Sequence, residues 1–252
     1  MNESTPPPAT DPPGPQAPAV DAGEPPPTPG ALPRVGWGPG QVLIGLVVLL
    51  TVTIVEVMIV SAFDSGLDSL GARLTLQAML AGSLVAVAFL MSAPGALTPS
   101  IALGLRRPLV APWKPAAIAY LAYVGCAILI AVAIQPEQDN VTEELGYGEN
   151  ALGDAAIGFF IIIVAPITEE LFFRGFMFVG MRRRLPFVAA AAISAGLWGL
   201  FHYTGAGTWG VVLQLAVFGI ALSWLYERTG SIWPPVAIHA FNNALAFVIL
   251  TS

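Results

Sequence analysis

Long apolar runs separated by short polar stretches make up most of this 252-residue chain. Each run approaches the ~20 residues that an α-helix needs to cross a bilayer core of ~30 Å, although the fifth is short. Because a backbone in lipid must satisfy its own hydrogen bonds, the runs are predicted to be helices. The pattern predicts an all-α, polytopic transmembrane helix bundle of about seven spans, at 42–63, 74–93, 116–134, 155–179, 187–202, 209–226 and 232–250.

Composition agrees with a membrane protein. Hydrophobic residues account for 56% of the chain and charged residues for 10%, whereas a soluble domain carries about a quarter charged residues. The formal net charge of −6 comes from acidic loops and does not predict a surface for nucleic acid. The lipid bilayer is therefore the expected environment, and nucleic acid is not an expected partner.

The N-terminal segment differs from everything after it. It is rich in Pro, Ala and Gly, with Pro-Pro-Pro at 6–8 and again at 25–27. Such a composition cannot bury enough apolar surface to fold. We predict a disordered, Pro-rich tail over residues 1–35 and a membrane domain over residues 36–252.

The basic residues predict an orientation. Of the ten Lys and Arg residues, eight fall on the inner side if the N-terminus is inside: Arg34, Arg106, Arg107, Lys114, Arg182, Arg183, Arg184 and Arg228. Arg73 alone falls outside, and Arg174 lies within a span. Cytoplasmic loops of membrane proteins carry this excess of Lys and Arg. We predict the N-terminus inside and the C-terminus outside, in a cell membrane, with a bacterial inner membrane as the best fit.

Three ionisable residues interrupt the fourth run, in the sequence Thr-Glu-Glu-Leu-Phe-Phe-Arg-Gly at 168–175. Charged groups in a membrane segment are costly and usually face a polar interior, so they indicate a functional site. On a helix, Glu170 and Arg174 share one face in the favourable order for an ion pair. Glu169 is rotated by about 100° from Glu170. We predict that Arg174 neutralises Glu170 and that Glu169 is left for chemistry.

Both histidines of the chain, His202 and His239, lie in or at the end of apolar runs. Trp198 lies four residues before His202 and shares its helical face, and Asn243 lies four residues after His239. Because ionisable groups inside a membrane seek one another, we predict that both histidines share a site with Glu169.

A carboxylate, two imidazoles and a carboxamide suit the hydrolysis of a peptide bond. A glutamate beside an imidazole, here Glu169 with His202, can take a proton from water. His239 and Asn243 can donate hydrogen bonds to the oxyanion of the tetrahedral intermediate. The expected function is therefore endopeptidase activity within the membrane.

Three motifs on consecutive predicted helices carry a family resemblance: Glu-Glu-x-x-x-Arg, aromatic-x-x-x-His and His-x-x-x-Asn, at 169–174, 198–202 and 239–243. Together they resemble the CAAX-protease and bacteriocin-processing family (CPBP, also called Abi or Rce1-like) of intramembrane endopeptidases, over residues 152–250. The family's second motif usually starts with Phe, where Trp198 stands here. The resemblance implies that the catalytic residues are Glu169, His202, His239 and Asn243, and that Glu170 and Arg174 support them. These are the roles that the chemistry suggests.

A metal is the open alternative in the mechanism. Glu169, His202 and His239 would be the ligands of a Zn²⁺ ion, which takes three protein ligands and an open position at catalytic sites. The sequence has no His-Glu-x-x-His signature, so we favour a mechanism without a cofactor.

Two other features of the apolar runs carry predictions. Glu56 lies in the middle of the first run and is expected to be paired inside the bundle, outside the motif set. Gly196 and Gly199 in the fifth run are expected to allow close approach of a neighbouring helix.

Two other functions compete with proteolysis. One is a non-catalytic membrane scaffold or chaperone of the same family. The other is a transporter, which would show broken helices in two matching halves, and no such repeat is seen. The expected partner of the protease is a membrane-associated peptide or protein, lipidated or bacteriocin-like. The sequence does not indicate which substrate is cut, or the oligomeric state.

Overall fold

The computed structural model describes residues 32–33, 35–63, 69–93, 97–136 and 141–252. Every regular element in these ranges is helical, which confirms the predicted all-α bundle. A short 3-10 turn, Ala206–Thr208, precedes the eighth helix. The helices are α1 (Pro39–Phe63), α2 (Leu70–Ser92), α3 (Pro99–Ala102), α4 (Trp113–Ile134), α5 (Val141–Glu144), α6 (Ala151–Arg182), α7 (Phe187–Leu200), α8 (Trp209–Thr229) and α9 (Trp233–Thr251).

Six helices of the described chain are long and apolar enough to cross a membrane. They are α1, α2, α4, α6, α8 and α9, and the span of α8 includes the 3-10 turn before it. The run at 187–202, predicted to be a short span, forms α7 of 14 residues. At 1.5 Å per residue α7 is about 21 Å long, less than the ~30 Å hydrocarbon core. The protein is therefore a multi-pass membrane protein with six full-length spans and one shorter apolar helix in its described part.

Helices α7 and α8 pack closely because α7 carries a glycine at their contact. A Cβ atom on Gly199 would lie 2.6 Å from the backbone oxygen of Val212, closer than any side chain tolerates. This confirms the predicted close approach at Gly199. Gly196 has no such neighbour within 4 Å among the described residues, so the same prediction is wrong there.

The predicted tail lies almost entirely outside the described residues. Its last part, Leu32 and Val35, packs against the hydrophobic core. Trp37 follows and is completely buried. Its ring takes the space left by Gly180, where a Cβ would lie 2.7 Å from the indole. The chain just before α1 is thus fixed to the last turns of α6.

Helix α6 is not a regular α-helix. Two stretches have π-helical hydrogen bonding, Phe160–Val164 and Glu170–Phe178, and the α-helical turn Ala165–Glu169 lies between them. π-Helical turns are rare and occur often at functional sites. Every residue of the second stretch is buried. Glu170 and Arg174 of the predicted charged motif therefore lie in the widened, enclosed part of the helix, and Glu169 ends the α-helical turn just before it.

Side chains from outside α6 supply donors to its widened segments. The donor–acceptor pairs are Asn243 Nδ2 to Ile161 O at 2.9 Å, Ser194 Oγ to Phe173 O at 2.7 Å and Trp37 Nε1 to Phe176 O at 3.0 Å. They come from α9, α7 and the segment before α1. A carbonyl without a partner in lipid costs several kcal/mol by the usual estimate for buried polar groups, so these bonds stabilise the irregular helix.

The bond from Asn243 has a specific cause in the sequence. The backbone N–H of Ala165 donates to Phe160 O, five residues earlier. In the same register the next donor would be residue 166, and its acceptor would be Ile161 O. Residue 166 is proline, which has no N–H. The side chain of Asn243 provides the missing donor.

A loop after α3 fixes the start of α9. The backbone N–H of Ile232 donates to Gly104 O at 3.0 Å. Arg106 Nε donates to Gly230 O at 2.7 Å. Gly104 has φ of +84°, and a Cβ there would lie 2.6 Å from the ring of Tyr226. Only glycine fits this position, so the loop can lie directly against the turn that leads into α9.

The predicted orientation can be tested with single cysteines. In a Cys126→Ser background, we expect Ser252→Cys to react with a membrane-impermeant thiol reagent added to intact cells or spheroplasts. Lys114→Cys should react only after the membrane is permeabilised, because positive loops stay inside. Both positions are exposed, so burial does not limit either reaction. The opposite pattern at either position contradicts the N-inside, C-outside arrangement.

The role of Asn243 in α6 can be tested by restoring the missing backbone donor. Asn243→Ala should lower the free energy of unfolding in detergent by about 1–3 kcal/mol, the cost of an unsatisfied buried acceptor. Pro166→Ala gives Ile161 O a backbone N–H, so the same asparagine change should cost less in a Pro166→Ala background. The measurement is a double-mutant cycle of melting curves. Additive effects would show that Asn243 does not replace the proline's missing donor.

Candidate active site

The two adjacent glutamates have opposite environments. Glu170 is completely buried, and its Oε1 accepts a hydrogen bond of 2.8 Å from Arg174 Nη1. The predicted ion pair is therefore confirmed. The Glu169 side chain is 18% exposed and takes no part in that pair. Since neighbouring residues on a helix face different directions, the bundle buries one carboxylate and leaves the other at the edge of the site.

The guanidinium of Arg174 is completely buried among three helices. Its central carbon lies 4.5 Å from the ring centroid of Trp198, in cation–π geometry. Gly219 of α8 leaves space for it, because a Cβ there would lie 2.7 Å from Arg174 Nη2. Within the described chain, Nε and Nη2 make no hydrogen bond. The contact with the indole face therefore compensates part of the cost of burying the cation.

His239 lies between the two glutamates and is bonded to the buried one. Its Nδ1 is 3.0 Å from Glu170 Oε1, and its Nε2 is 3.9 Å from Glu169 Oε2. A carboxylate accepts, so Nδ1 carries the proton in this bond. The same oxygen of Glu170 thus accepts from both Arg174 and His239. The structure brings Glu169, Glu170, Arg174 and His239 together, as the motifs predict.

Trp198 is a member of the site whose contact with Glu169 was not anticipated. Its indole N–H donates to Glu169 Oε2 at 2.6 Å. The sequence indicated only that Trp198 shares a helical face with His202. One signal was available, since a buried tryptophan needs an acceptor for its N–H. Which acceptor it takes depends on how α7 packs against α6, and this cannot be derived from spacing.

His202 lies at the edge of the group. Its Nδ1 donates to the backbone oxygen of Trp198 at 2.9 Å, and the two rings meet edge to face at 5.4 Å. In the described part of the chain no hydrogen bond joins His202 to Glu169 or His239. Because Nδ1 carries a proton, Nε2 of the neutral ring is the nitrogen that can accept one. His202 is exposed, and this nitrogen remains accessible.

Asn243 and Glu56 are placed differently by the structure. Asn243 lies one turn beyond His239, and one N–H of its amide is already used by Ile161 O. The second hydrogen of the amide is left for another acceptor. Glu56 accepts from Ser83 Oγ at 2.5 Å, so it pairs at the interface of α1 with α2, as expected.

The predicted Zn²⁺ ligands do not form a three-ligand set. Among the described residues, no group of three or more His, Cys, Asp and Glu side chains is arranged to hold a metal ion. Of the three candidates, Glu169 and His239 approach each other, while His202 is joined to neither. A catalytic Zn²⁺ takes three protein ligands, so these three side chains as placed do not fit such an ion.

Comparison with known proteins identifies the region that carries this site. Residues 151–245 match the family of type II CAAX prenyl endopeptidase Rce1-like proteins. A putative membrane peptidase of Bacillus subtilis (strain 168), YdiL, is 32% identical over 87 residues. That match spans 34% of this chain and 34% of the relative, about a third of each. No solved structure matches the chain.

All the residues of the three motifs, and every contact between them described above, fall within the matched range. The chain is a multi-pass membrane protein whose residues 151–245 match the Rce1-like family of CAAX prenyl endopeptidases.

Proposed function

We propose that this protein is an intramembrane endopeptidase that hydrolyses a peptide bond in a membrane-associated peptide or protein, using water activated by Glu169. The family match and the similarity to a putative membrane peptidase support a membrane protease in general. The single observation that supports Glu169 as the base is the difference in burial and bonding between the two glutamates. Glu170 is buried and bonded to a cation, whereas Glu169 is partly exposed and has one oxygen without a hydrogen bond from the described chain.

The first step of the proposed reaction is the attack of water. Oε1 of Glu169 takes one proton of the water, and the water oxygen forms a bond to the carbonyl carbon of the substrate. Nε2 of His202 accepts a hydrogen bond from the other O–H of the water and orients the attack. His202 and Glu169 contact the same tryptophan, which supports a shared water between them.

The second step is the collapse of the tetrahedral intermediate. The oxyanion accepts hydrogen bonds from Nε2 of His239 and from the second amide hydrogen of Asn243. This role requires His239 to carry protons on both nitrogens, since Nδ1–H is held by Glu170. The C–N bond then breaks, and the carboxylic acid of Glu169 returns its proton to the leaving amine. The products are a carboxylic acid and an amine, and Glu169 is again a carboxylate.

The proposed role of Glu170 and Arg174 is support. Together with His239 they form a fixed unit in which one carboxylate oxygen accepts two donors. With Glu169 and Glu170 both ionised and Arg174 charged, the site carries one excess negative charge. A His239 with protons on both nitrogens balances this charge and supplies the donor that the oxyanion needs.

A groove open to the side of the bundle supports a substrate that comes from the membrane. It has a volume of about 610 Å³ and lies between α2 and α6. Its walls are mainly apolar, with Ala78 and Gly82 on one side and Phe160 on the other, and Thr168 also lines it. Thr168 is the residue before Glu169. The groove therefore reaches the level of the proposed base along α6, although Glu169 itself is not part of its wall.

The role of Glu169 can be tested by an isosteric change. Glu169→Gln keeps the size of the side chain but cannot take a proton, so cleavage should fall by about 10²–10⁴-fold, as is usual for loss of a general base. The melting temperature should stay close to wild type. The measurement uses purified protein and two quenched fluorescent peptides that differ only in a farnesyl group on the cysteine of a CAAX tail.

The two peptides also report on the substrate class. Cleavage of the farnesylated peptide alone indicates a lipidated substrate, and cleavage of both indicates that the prenyl group is not required. A zinc chelator in a parallel reaction should leave the rate unchanged under the metal-free proposal. If the glutamine variant cleaves as fast as wild type, the proposed mechanism is wrong. If wild type cuts no membrane peptide in a comparative peptidomic search against Glu169→Ala, the scaffold alternative is favoured.

The supporting role of Glu170 predicts a different outcome. Glu170→Gln leaves Arg174 as an unpaired buried charge, and we expect the free energy of unfolding to fall by about 3–5 kcal/mol. Adding Arg174→Met should recover part of that loss, because the stranded cation is removed. A matched control is Glu149→Gln, which breaks an exposed ion pair with Arg73 and should cost less than about 1 kcal/mol.

Melting curves in detergent and the same peptide assay measure all these variants. If Glu170→Gln melts like wild type and is inactive while Glu169→Gln stays active, the roles of the two glutamates are reversed.

A further inference from the structure

We propose that Trp198 is a positioning residue, whose indole N–H holds Oε2 of Glu169 so that Oε1 is the oxygen that takes the proton from water. The inference rests on the proposed function, since it assigns a supporting residue to the same base. Neither the family match nor the named relative describes a role for this side chain.

The contact itself is short and well defined. Trp198 Nε1 lies 2.6 Å from Glu169 Oε2, at the short end of N–H···O bonds, and bonds to an ionised acceptor are shorter than neutral ones. The tryptophan is 1% exposed, so its N–H has no solvent to bond to. The indole has a single donor and no acceptor. Within the described chain, that donor is committed entirely to Glu169.

The indole is held rigidly by the other members of the site. One of its contacts is the guanidinium of Arg174, 4.5 Å from the ring centroid. His239 and Phe218 pack against it edge-on and tilted, with centroid separations of 5.2 and 6.1 Å. These contacts come from α6, α9 and α8. The direction of the N–H bond is therefore set by the whole bundle and not by a free rotamer of Trp198.

This fixed donor determines what Glu169 can do. A partly exposed glutamate has several rotamers, and a general base must present a lone pair in one direction. Trp198 removes that freedom by binding Oε2, which also lies 3.9 Å from Nε2 of His239. Oε1 has no hydrogen-bond partner in the described part of the chain, and it remains to contact water. Without the N–H, the carboxylate would keep its charge but lose its orientation.

The test is Trp198→Phe, which keeps an aromatic ring beside Arg174, removes the N–H donor and gives up part of the ring volume. We expect kcat to fall about tenfold to a hundredfold, the range for losing one hydrogen bond to a charged group. KM should not change, because the bond orients the base and does not bind substrate. The reporter is the membrane peptide that wild type cleaves and Glu169→Gln does not.

A matched control separates this effect from a general loss of tryptophan. Trp224 of α8 packs on Arg228, with the guanidinium 5.5 Å from its ring, away from the site. Trp224→Phe should leave kcat and KM unchanged. Melting curves of both variants should stay near that of wild type, because Phe fills most of the same space.

A spectroscopic measurement tests the bond without an assay. In protein labelled with ¹⁵N at the indole nitrogens, the resonance missing from Trp198→Phe identifies the Trp198 N–H. We expect this resonance to shift in Glu169→Ala, which removes the acceptor, and to be unmoved in Glu149→Gln. The shift itself is measured in Glu169→Ala, which keeps Trp198, so the phenylalanine variant is needed only to assign the resonance.

The outcomes separate this inference from the function on which it rests. A shifted indole resonance together with a reduced kcat and unchanged KM in Trp198→Phe supports it. If the indole resonance of Trp198 does not shift in Glu169→Ala, the positioning role is wrong. It is also wrong if Trp198→Phe keeps the wild-type kcat while Glu169→Gln is inactive. If Glu169→Gln is itself fully active, the proposed function fails, and the positioning role fails with it.

Discussion

A buried ion pair between Glu170 and Arg174 constrains the whole bundle. Removing two charges from water costs more than their attraction returns unless further contacts compensate. Here each compensating contact comes from a different helix. His239 of α9 donates to Glu170, the indole of Trp198 from α7 covers Arg174, and Gly219 of α8 leaves room for the guanidinium. The charge pair inside α6 therefore defines how three other helices must pack.

The same pair explains how two adjacent carboxylates come to have different surroundings. Residues next to each other on a helix point in different directions, so both cannot be enclosed by the same neighbours. The bundle neutralises Glu170 and leaves Glu169 at the rim, with one donor from Trp198. Glu170 is fixed by two hydrogen bonds to one oxygen. Position alone thus gives the same residue type two environments, one enclosed and paired with a cation and the other partly exposed.

Much of this arrangement can be derived from the sequence, and the rest cannot for identifiable reasons. Length and hydropathy predict the helices, and the spacing of four residues predicts the bond between Glu170 and Arg174. The convergence of His239 on the glutamates follows from the tendency of polar groups in a membrane to pair. By contrast, the bond from Trp198 to Glu169 joins residues 29 positions apart, and its direction depends on helix packing. His202 was expected beside Glu169, yet its bond is to a carbonyl of its own helix.

The π-helical segments of α6 could not be predicted from the sequence. They also make the geometry of the site depend on the packing of the bundle. An α-helix satisfies its carbonyls internally, so its geometry survives changes in its neighbours. The widened segments of α6 accept donors from Asn243, Ser194 and Trp37, which belong to other elements. Inside a bilayer no water is available to replace a lost donor. The direction of Glu169 therefore depends on α7, α9 and the chain before α1 staying docked, and a change that loosens any of them should disturb the site before it unfolds the bundle.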